Sequence, residues 1–190
     1  MGHKEDLLAG AKQVLVERGY ANATARDIVA ASKTNLASIG YHYGSLDTLL
    51  TQAMIEMMGE WGSKFEGAAS QPGVIGSEAK FRAVWRALFK LFETDRPLLL
   101  ASFEIATRAE RSEDLKAIFA ETYIEVRNEL PNDFLDLDKI DAKTRRAVGG
   151  LLLALISGIT VQYLLDPKGT PNADELTLAM KTIAKAFVKG

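Results

Sequence analysis

The sequence predicts an all-α protein: an N-terminal head of three short helices in helix-turn-helix order, then a larger helical body, about nine helices in all. Three observations carry this prediction. Apolar residues recur at helical spacing from Leu7 to Val188. No stretch alternates with the period of two that marks a half-buried strand. Capping residues and Gly or Pro breaks separate the periodic runs, so each helix has a start and a stop. With 190 residues, 47% hydrophobic and 25% charged, the chain has the composition of a soluble globular protein with a packed core. It holds no cysteine, which excludes disulfides, thiolate metal sites and cysteine nucleophiles, and suits a reducing cytoplasm.

Leu7, Leu8, Ala11, Val14 and Leu15 lie on one helical face, and Gly19 ends that first helix. Thr24 and Asp27 have the spacing of a capping box, which starts a second helix over about 25–32. Lys33-Thr34-Asn35 is a turn, and Thr34 or Asn35 caps a third helix of about two turns, Leu36 to Tyr43. Gly44-Ser45 breaks the pattern and Ser45 caps a long helix with one apolar stripe from Leu46 to Phe65. Residues 67–76 read as a loop. Further helices start at Ser77, at Pro97 and at Ser112; residues 131–138 read as a second loop. Asp141 or a neighbour then caps an apolar helix ending near Asp166, and the last helix follows Pro171-Asn172.

The longest apolar run, Ala147 to Val161, falls short of the roughly 20 residues needed to span a bilayer, and is read as a buried helix. Met1 to Asp6, with Lys4, Glu5 and Asp6, does not read as a secretory signal. The expectation is a cytoplasmic protein without membrane contact. Net charge is −2, and residues 1–50 hold five basic residues (Lys4, Lys12, Arg18, Arg26, Lys33) against five acidic ones (Glu5, Asp6, Glu17, Asp27, Asp47). There is no basic footprint of the kind that phosphate binding favours. The case for DNA rests on pattern.

That pattern is specific. Residues 19–50, GYANATARDIVAASKTNLASIGYHYGSLDTLL, resemble the DNA-binding head of the TetR family of transcriptional regulators. The likeness includes Gly19-Tyr20, the Thr24 cap, Ile28 and the Tyr41-His42-Tyr43-Gly44-Ser45 exit at the family's spacing. It covers about the first quarter of the chain strongly and the remainder in layout. The resemblance implies double-stranded DNA as a partner, with the third helix entering the major groove, a homodimer, and an effector of unidentified identity; it implies no cofactor and no metal. Thr34, Asn35, Ala37, Ser38, Tyr41 and His42 occupy its DNA-facing positions. Small residues at 37, 38 and 40 let the backbone approach base edges. Hydroxyls of Thr24, Thr34 and Tyr41 suit phosphates, and Arg26 and Lys33 add ionic contacts. Ile28, Leu36, Ile39 and Leu49 read as core. Tyr43 either packs beneath the head or reaches DNA. One departure is Leu46, where the family usually has lysine; it implies one phosphate contact fewer per head.

The division implied is 1–50 for DNA binding and 51–190 for effector binding and dimerisation. In the family the last two helices pair across a two-fold axis, which here assigns Leu151, Leu155, Gly158, Ile159, Met180, Ile183 and Phe187 to the dimer, with Gly149, Gly150, Ala154 and Ser157 allowing close approach. A two-fold dimer presents its recognition helices to half-sites roughly 34–36 Å apart, or multiples of that, on a near-palindromic operator. Effector candidates are the large apolar residues Met58, Trp61, Phe65, Trp85, Phe89, Phe103 and Tyr123, with Arg108, Arg127 and Gln162 as polar anchors; each also fits plain core. An enzyme is the rival from another class, but no phosphate-cradling loop, nucleophile elbow or metal-ligand cluster occurs, and only two histidines exist. A third reading is a helical carrier of small molecules or lipids whose head does not bind DNA.

Overall fold

The computed structural model describes residues 2–188, apart from the side chains of Trp61, Lys64, Phe65, Glu66 and Arg108. Nine α-helices and no strand occur among the described residues: α1 (His3–Arg18), α2 (Ala25–Ser32), α3 (Leu36–Tyr43), α4 (Leu46–Ala69), α5 (Ser77–Thr94), α6 (Arg96–Ala109), α7 (Glu113–Leu135), α8 (Ala142–Leu165) and α9 (Ala173–Val188). The expected caps are in place. Gly19 closes α1 at positive φ (72°), Asn35 rather than Thr34 caps α3 by accepting from the Ser38 amide, and Asp141 accepts from the amides of Lys143 and Thr144. Asn172 and Glu175 form a reciprocal box at the start of α9.

Three expectations need correction. α4 runs on to Ala69, so the loop begins after Gly67 rather than at it. α7 passes through Pro131 to Leu135 instead of ending before it. Proline has no N–H and strains the carbonyl four residues back, here that of Arg127. The helix survives because α8 covers that spot: a methyl group on Gly149 would overlap the Arg127 carbonyl, and the Arg145 guanidinium donates to the carbonyl of Asn128 at 3.0 Å and to those of Leu137 and Asp138 beyond. Asp136, at φ 58°, then reverses the chain. Third, α8 is not a buried helix. It is 24 residues long, which with its composition is enough to cross a membrane, and only 22% of its most apolar window is covered. Gly149, Leu152, Ile159 and Thr160 form its buried side.

The chain forms two compact units, Met1–Trp61 with Asp95–Thr122 and Gly62–Thr94 with Tyr123–Gly190. Their boundary in α4 falls between Trp61 and Gly62. In the first unit α1 packs on α2, α3 and α6. Gly10 permits the α1–α2 approach, since a Cβ there would lie 2.9 Å from that of Ser32 and 3.0 Å from the Ile28 carbonyl oxygen. Leu7, Ala11, Leu15, Ile28, Leu49 and Ala53 are fully buried. In the second unit α5 packs on α9, and Trp85 sits edge-on to Phe81 and Phe134, a geometry aromatic rings favour.

Gly149 and Gly150 are neighbours with opposite surroundings, which makes them a matched test. Gly149→Ala forces α7 and α8 apart and is expected to cost about 1–3 kcal/mol, the usual range for overpacking. Gly150→Ala meets open space and is expected to be neutral or to stabilise by up to about 1 kcal/mol through helix propensity. Urea denaturation of the two variants distinguishes them.

Candidate nucleic-acid interface

Two tight local structures set the geometry of the head. Thr24 Oγ1 accepts from the Asp27 amide at 3.2 Å and donates to Asp27 Oδ2 at 2.6 Å; the carboxylate thus answers the hydroxyl, not the Thr24 amide as a full capping box would. Arg18 closes on the same carboxylate at 3.0 Å. After α2, Lys33 takes the left-handed conformation (φ 54°, ψ 35°), Thr34 N–H bonds to the Val29 carbonyl, and the hydroxyls of Ser32 and Thr34 meet at 2.8 Å. This turn aims α3.

Ile39 and Tyr43 face inward and are buried, and the Tyr43 hydroxyl donates to the Lys4 carbonyl at 2.7 Å. The opposite sector of α3 is open: Asn35, Ala37 and Gly40 are exposed and Tyr41 is 86% exposed, and Leu36, at the edge of the buried row, is 53% exposed. Nothing lies within 4 Å of where a Gly40 Cβ would be. His42 is half-buried and edge-on to the Tyr41 ring at 4.8 Å between centroids. The structure therefore corrects three residues. Tyr43 and Ser38 are buried, so neither is presented to a groove. Leu36, expected in the core, is exposed: its spacing to Ile39 and Tyr43 matches a buried row, but at the first position of α3 nothing covers it.

The neutral charge of the head hides an uneven use of it. Lys12 is held by Glu56 at 2.8 Å and Glu60 at 3.1 Å, and Arg18 by Asp27. Arg26 and Lys33 are exposed and have no carboxylate partner among the described residues. Tyr20, nearly fully buried, donates to Asp47 at 3.0 Å, and the Ala21 amide donates to Glu104 of α6 at 3.0 Å. Lys12 and Arg18 are thus paired, while Lys4, Arg26 and Lys33 have no carboxylate partner among the described residues.

Elsewhere the expected residues separate. Expectations on Trp61, Phe65 and Arg108 fall on side chains outside the described residues. Met58 and Phe103 belong to the first unit, the remaining candidates to the second. Trp85 and Phe89 are part of an aromatic cluster with Phe81, Phe92, Phe134 and Tyr163 and act as core. Gln162 is exposed. Tyr123 and Arg127 of α7 do line an open cleft of about 480 Å³ together with Gly150, Ala154 and Ser157 of α8, which the family resemblance had assigned to close approach at the dimer. Of the dimer candidates, Leu151, Gly158, Ile183 and Phe187 are exposed and Leu155 and Met180 half-buried, but Ile159 is buried in its own chain. Leu165 at 81% exposure was missed; its distance of seven from Gly158 could have found it.

Comparison with known families decides the class. A model of the N-terminal region of bacterial regulatory proteins of the tetR family matches residues 7–53, and one of the C-terminal region of BetI-type transcriptional repressors matches residues 77–188. The chain belongs to the TetR family of transcriptional regulators. No curated protein sequence matches it. Solved TetR-like structures share its fold. A protein of Streptomyces coelicolor A3(2) assigned as a transcriptional regulator is 22% identical, with a TM-score of 0.69, covering 94% of this chain and 95% of that one. A TetR-family regulator of Rhodococcus sp. is 15% identical, with a TM-score of 0.71 and coverage of 96% and 98%. The multidrug binding protein EbrR, solved with proflavin, is 20% identical, with a TM-score of 0.65 and coverage of 95% and 99%.

The Thr24 hydroxyl first, and Arg18 second, hold the Asp27 carboxyl below its ordinary value. A depressed folded value stabilises the head above the ordinary aspartate range, and that contribution disappears as pH falls through the depressed value. Asp27→Asn is therefore expected to be less stable than the parent at pH 7, with the gap closing towards pH 3. Denaturation at the two pH values measures it; an equal gap at both would remove Asp27 from the account.

Proposed function

We propose that this TetR-family chain is a repressor that binds a near-palindromic operator as a cytoplasmic homodimer and leaves it when a small-molecule effector binds, with residues 1–50 holding DNA, residues 51–190 serving effector and dimer, and no enzymatic step. The observation that carries the DNA half is the open sector of α3. Leu36, Ala37, Gly40 and Tyr41 form a surface of small and apolar groups flanked by Asn35. Ala37 and Leu36 suit the methyl groups of thymines, and Asn35 offers what its cap leaves free. Arg26 and Lys33 face phosphates, as do Thr24 and Thr34 more weakly, since both hydroxyls already have partners. Tyr41 projects furthest and His42 supports its ring from the side.

The dimer half is supported by the face that α8 and α9 leave uncovered. Leu151, Ala154, Gly158, Val161 and Leu165 follow a three-four spacing along α8, and Ile183 and Phe187, the latter 83% exposed, continue it on α9. Such a row gains several kcal/mol when covered, at about 1.5–3 kcal/mol per large side chain. The same row explains why α8 has the apolarity of a membrane span without needing a membrane. The effector half is supported by family membership and by the cleft on α7 and α8.

Gly40→Ala tests the groove directly. The substitution is accepted by the fold, where nothing would touch the new methyl, yet it thickens the face that meets base edges. Operator affinity is expected to fall about tenfold with melting temperature unchanged or raised, and Tyr41→Ala is expected to weaken binding with the fold intact; wild-type affinity in both variants, by fluorescence anisotropy on selected genomic DNA, would refute the assignment. For the dimer, Leu165→Glu or Gly158→Leu is expected to shift the chain to monomer in sedimentation velocity while far-ultraviolet circular dichroism stays helical. An undisturbed dimer in both would place the interface elsewhere.

A further inference from the structure

The outward sector of α3 lacks the groups that read most bases. The helix LASIGYHY carries no Arg, Lys, Asn or Gln, the residues that recognise guanine or adenine through two hydrogen bonds at once. The nearest amide, on Asn35, has its oxygen engaged: Oδ1 accepts from the Ser38 amide at 3.1 Å and caps the helix. What Asn35 keeps is an NH2 donor, which suits purine N7 and thymine O4 alike and discriminates little between them. Ser38 is buried, and His42 is half-buried with its ring edge-on to Tyr41. In the middle of the open sector are Ala37 and Gly40, both exposed and three residues apart on one helical face. Nothing lies within 4 Å of the place a Gly40 Cβ would take. The sector therefore offers a methyl group with bare backbone beside it.

We propose that this recognition helix reads thymine methyl groups, so that each operator half-site is built on A·T pairs under Ala37 and Gly40 and not on guanine contacts. The 5-methyl of thymine is the one methyl group that a base pair presents in the major groove. It fits against the Ala37 methyl and into the space over Gly40, where a larger side chain would hold the helix off. Leu36, 53% exposed at the edge of the buried row, extends the apolar contact on one side. The competing reader is Lys33, since an ammonium can bind guanine. It stands outside α3, at the left-handed residue that ends α2, and with Arg26 it supplies the free charge that phosphates need. This base preference rests on the operator-binding reading above and adds the class of base on which the operator is built.

Selection of bound duplexes from genomic DNA by the full chain, followed by fluorescence anisotropy on the best of them, tests this. Deoxyuridine in place of thymine removes the 5-methyl and leaves the Watson–Crick pair unchanged. Changing one contacted position in both half-sites is expected to weaken binding about tenfold, as the loss of two buried methyl groups does. In contrast, 7-deazaguanine in place of guanine, which removes the N7 acceptor, is expected to leave affinity within about twofold. Ala37→Gly is expected to lose most of the difference between thymine and deoxyuridine. Because glycine also loosens a helix, Ala37→Ser is measured beside it; serine keeps the Cβ but puts a polar oxygen into the contact, and the ratio is expected to narrow as well. Lys33→Gln and Arg26→Gln are expected to weaken all duplexes alike, as lost phosphate contacts do, with the selected bases unchanged. The proposal is overturned by indifference to deoxyuridine at every half-site position, by a larger loss with 7-deazaguanine, by a thymine-to-uracil ratio unmoved in both Ala37 variants, or by a new selected sequence for Lys33→Gln. If no duplex is preferred, the operator-binding reading falls and this one with it; a preferred duplex indifferent to deoxyuridine sinks this one alone.

Discussion

Burial of Ile39 and Tyr43 beneath α3, locked by the hydrogen bond from the Tyr43 hydroxyl to the Lys4 carbonyl, decides which way the recognition helix faces. A helix of eight residues has little stability of its own, so its orientation has to be imposed by its neighbours. Three anchors do this within the first unit: the left-handed Lys33 turn on one end, the Gly44 reversal at φ 77° on the other, and the buried row between them. Rotating α3 to expose Tyr43 would bury Tyr41 and leave the hydroxyl of Tyr43 without its acceptor. The outward sector follows from that inward one.

The same unit resolves the puzzle of a DNA-binding head with no net positive charge. Attraction to phosphate depends on cations that are free to approach it, not on the sum over the sequence. Lys12 is paired with two glutamates and Arg18 with Asp27, three carboxylates against two cations, and Lys4, Arg26 and Lys33 are left. Leu46, half-buried at the start of α4, supplies no further one. A head with few free cations displaces few counterions, the condition under which binding depends only weakly on salt.

Much of this was legible in the sequence because the signals were local. Caps at Thr24, Asn35, Ser45, Asp141 and Asn172 act within three residues, and each starts the helix its spacing foretells. Failures came where a distant partner decides. Pro131 reads as a helix end until Gly149 and Arg145 are seen covering the strained turn. Leu36 and Tyr43 share a spacing with Ile39 that fits a buried row, and only packing shows that the row ends before Leu36. The family layout assigns Ile159 and Gly149 to the interface, yet both are buried within the chain. The cleft was half visible, through Tyr123 and Arg127, because its α8 side is built of small residues that carry no signal of their own.

α8 concentrates these demands on one helix, and its sectors show why small residues are placed where they are. One side, through Gly149, must let α7 come close enough to cover the proline-strained carbonyl. The next, through Gly150 and Ser157, stays low beside Tyr123 and Arg127 of α7. The third, from Leu151 to Leu165, is apolar and unmet within the chain. Sectors so close on one helix are mechanically linked, since a shift of α8 that suits one is felt by the others. A ligand moves such a protein between two arrangements only in proportion to how much more tightly it binds one of them, and a ligand indifferent to both changes nothing.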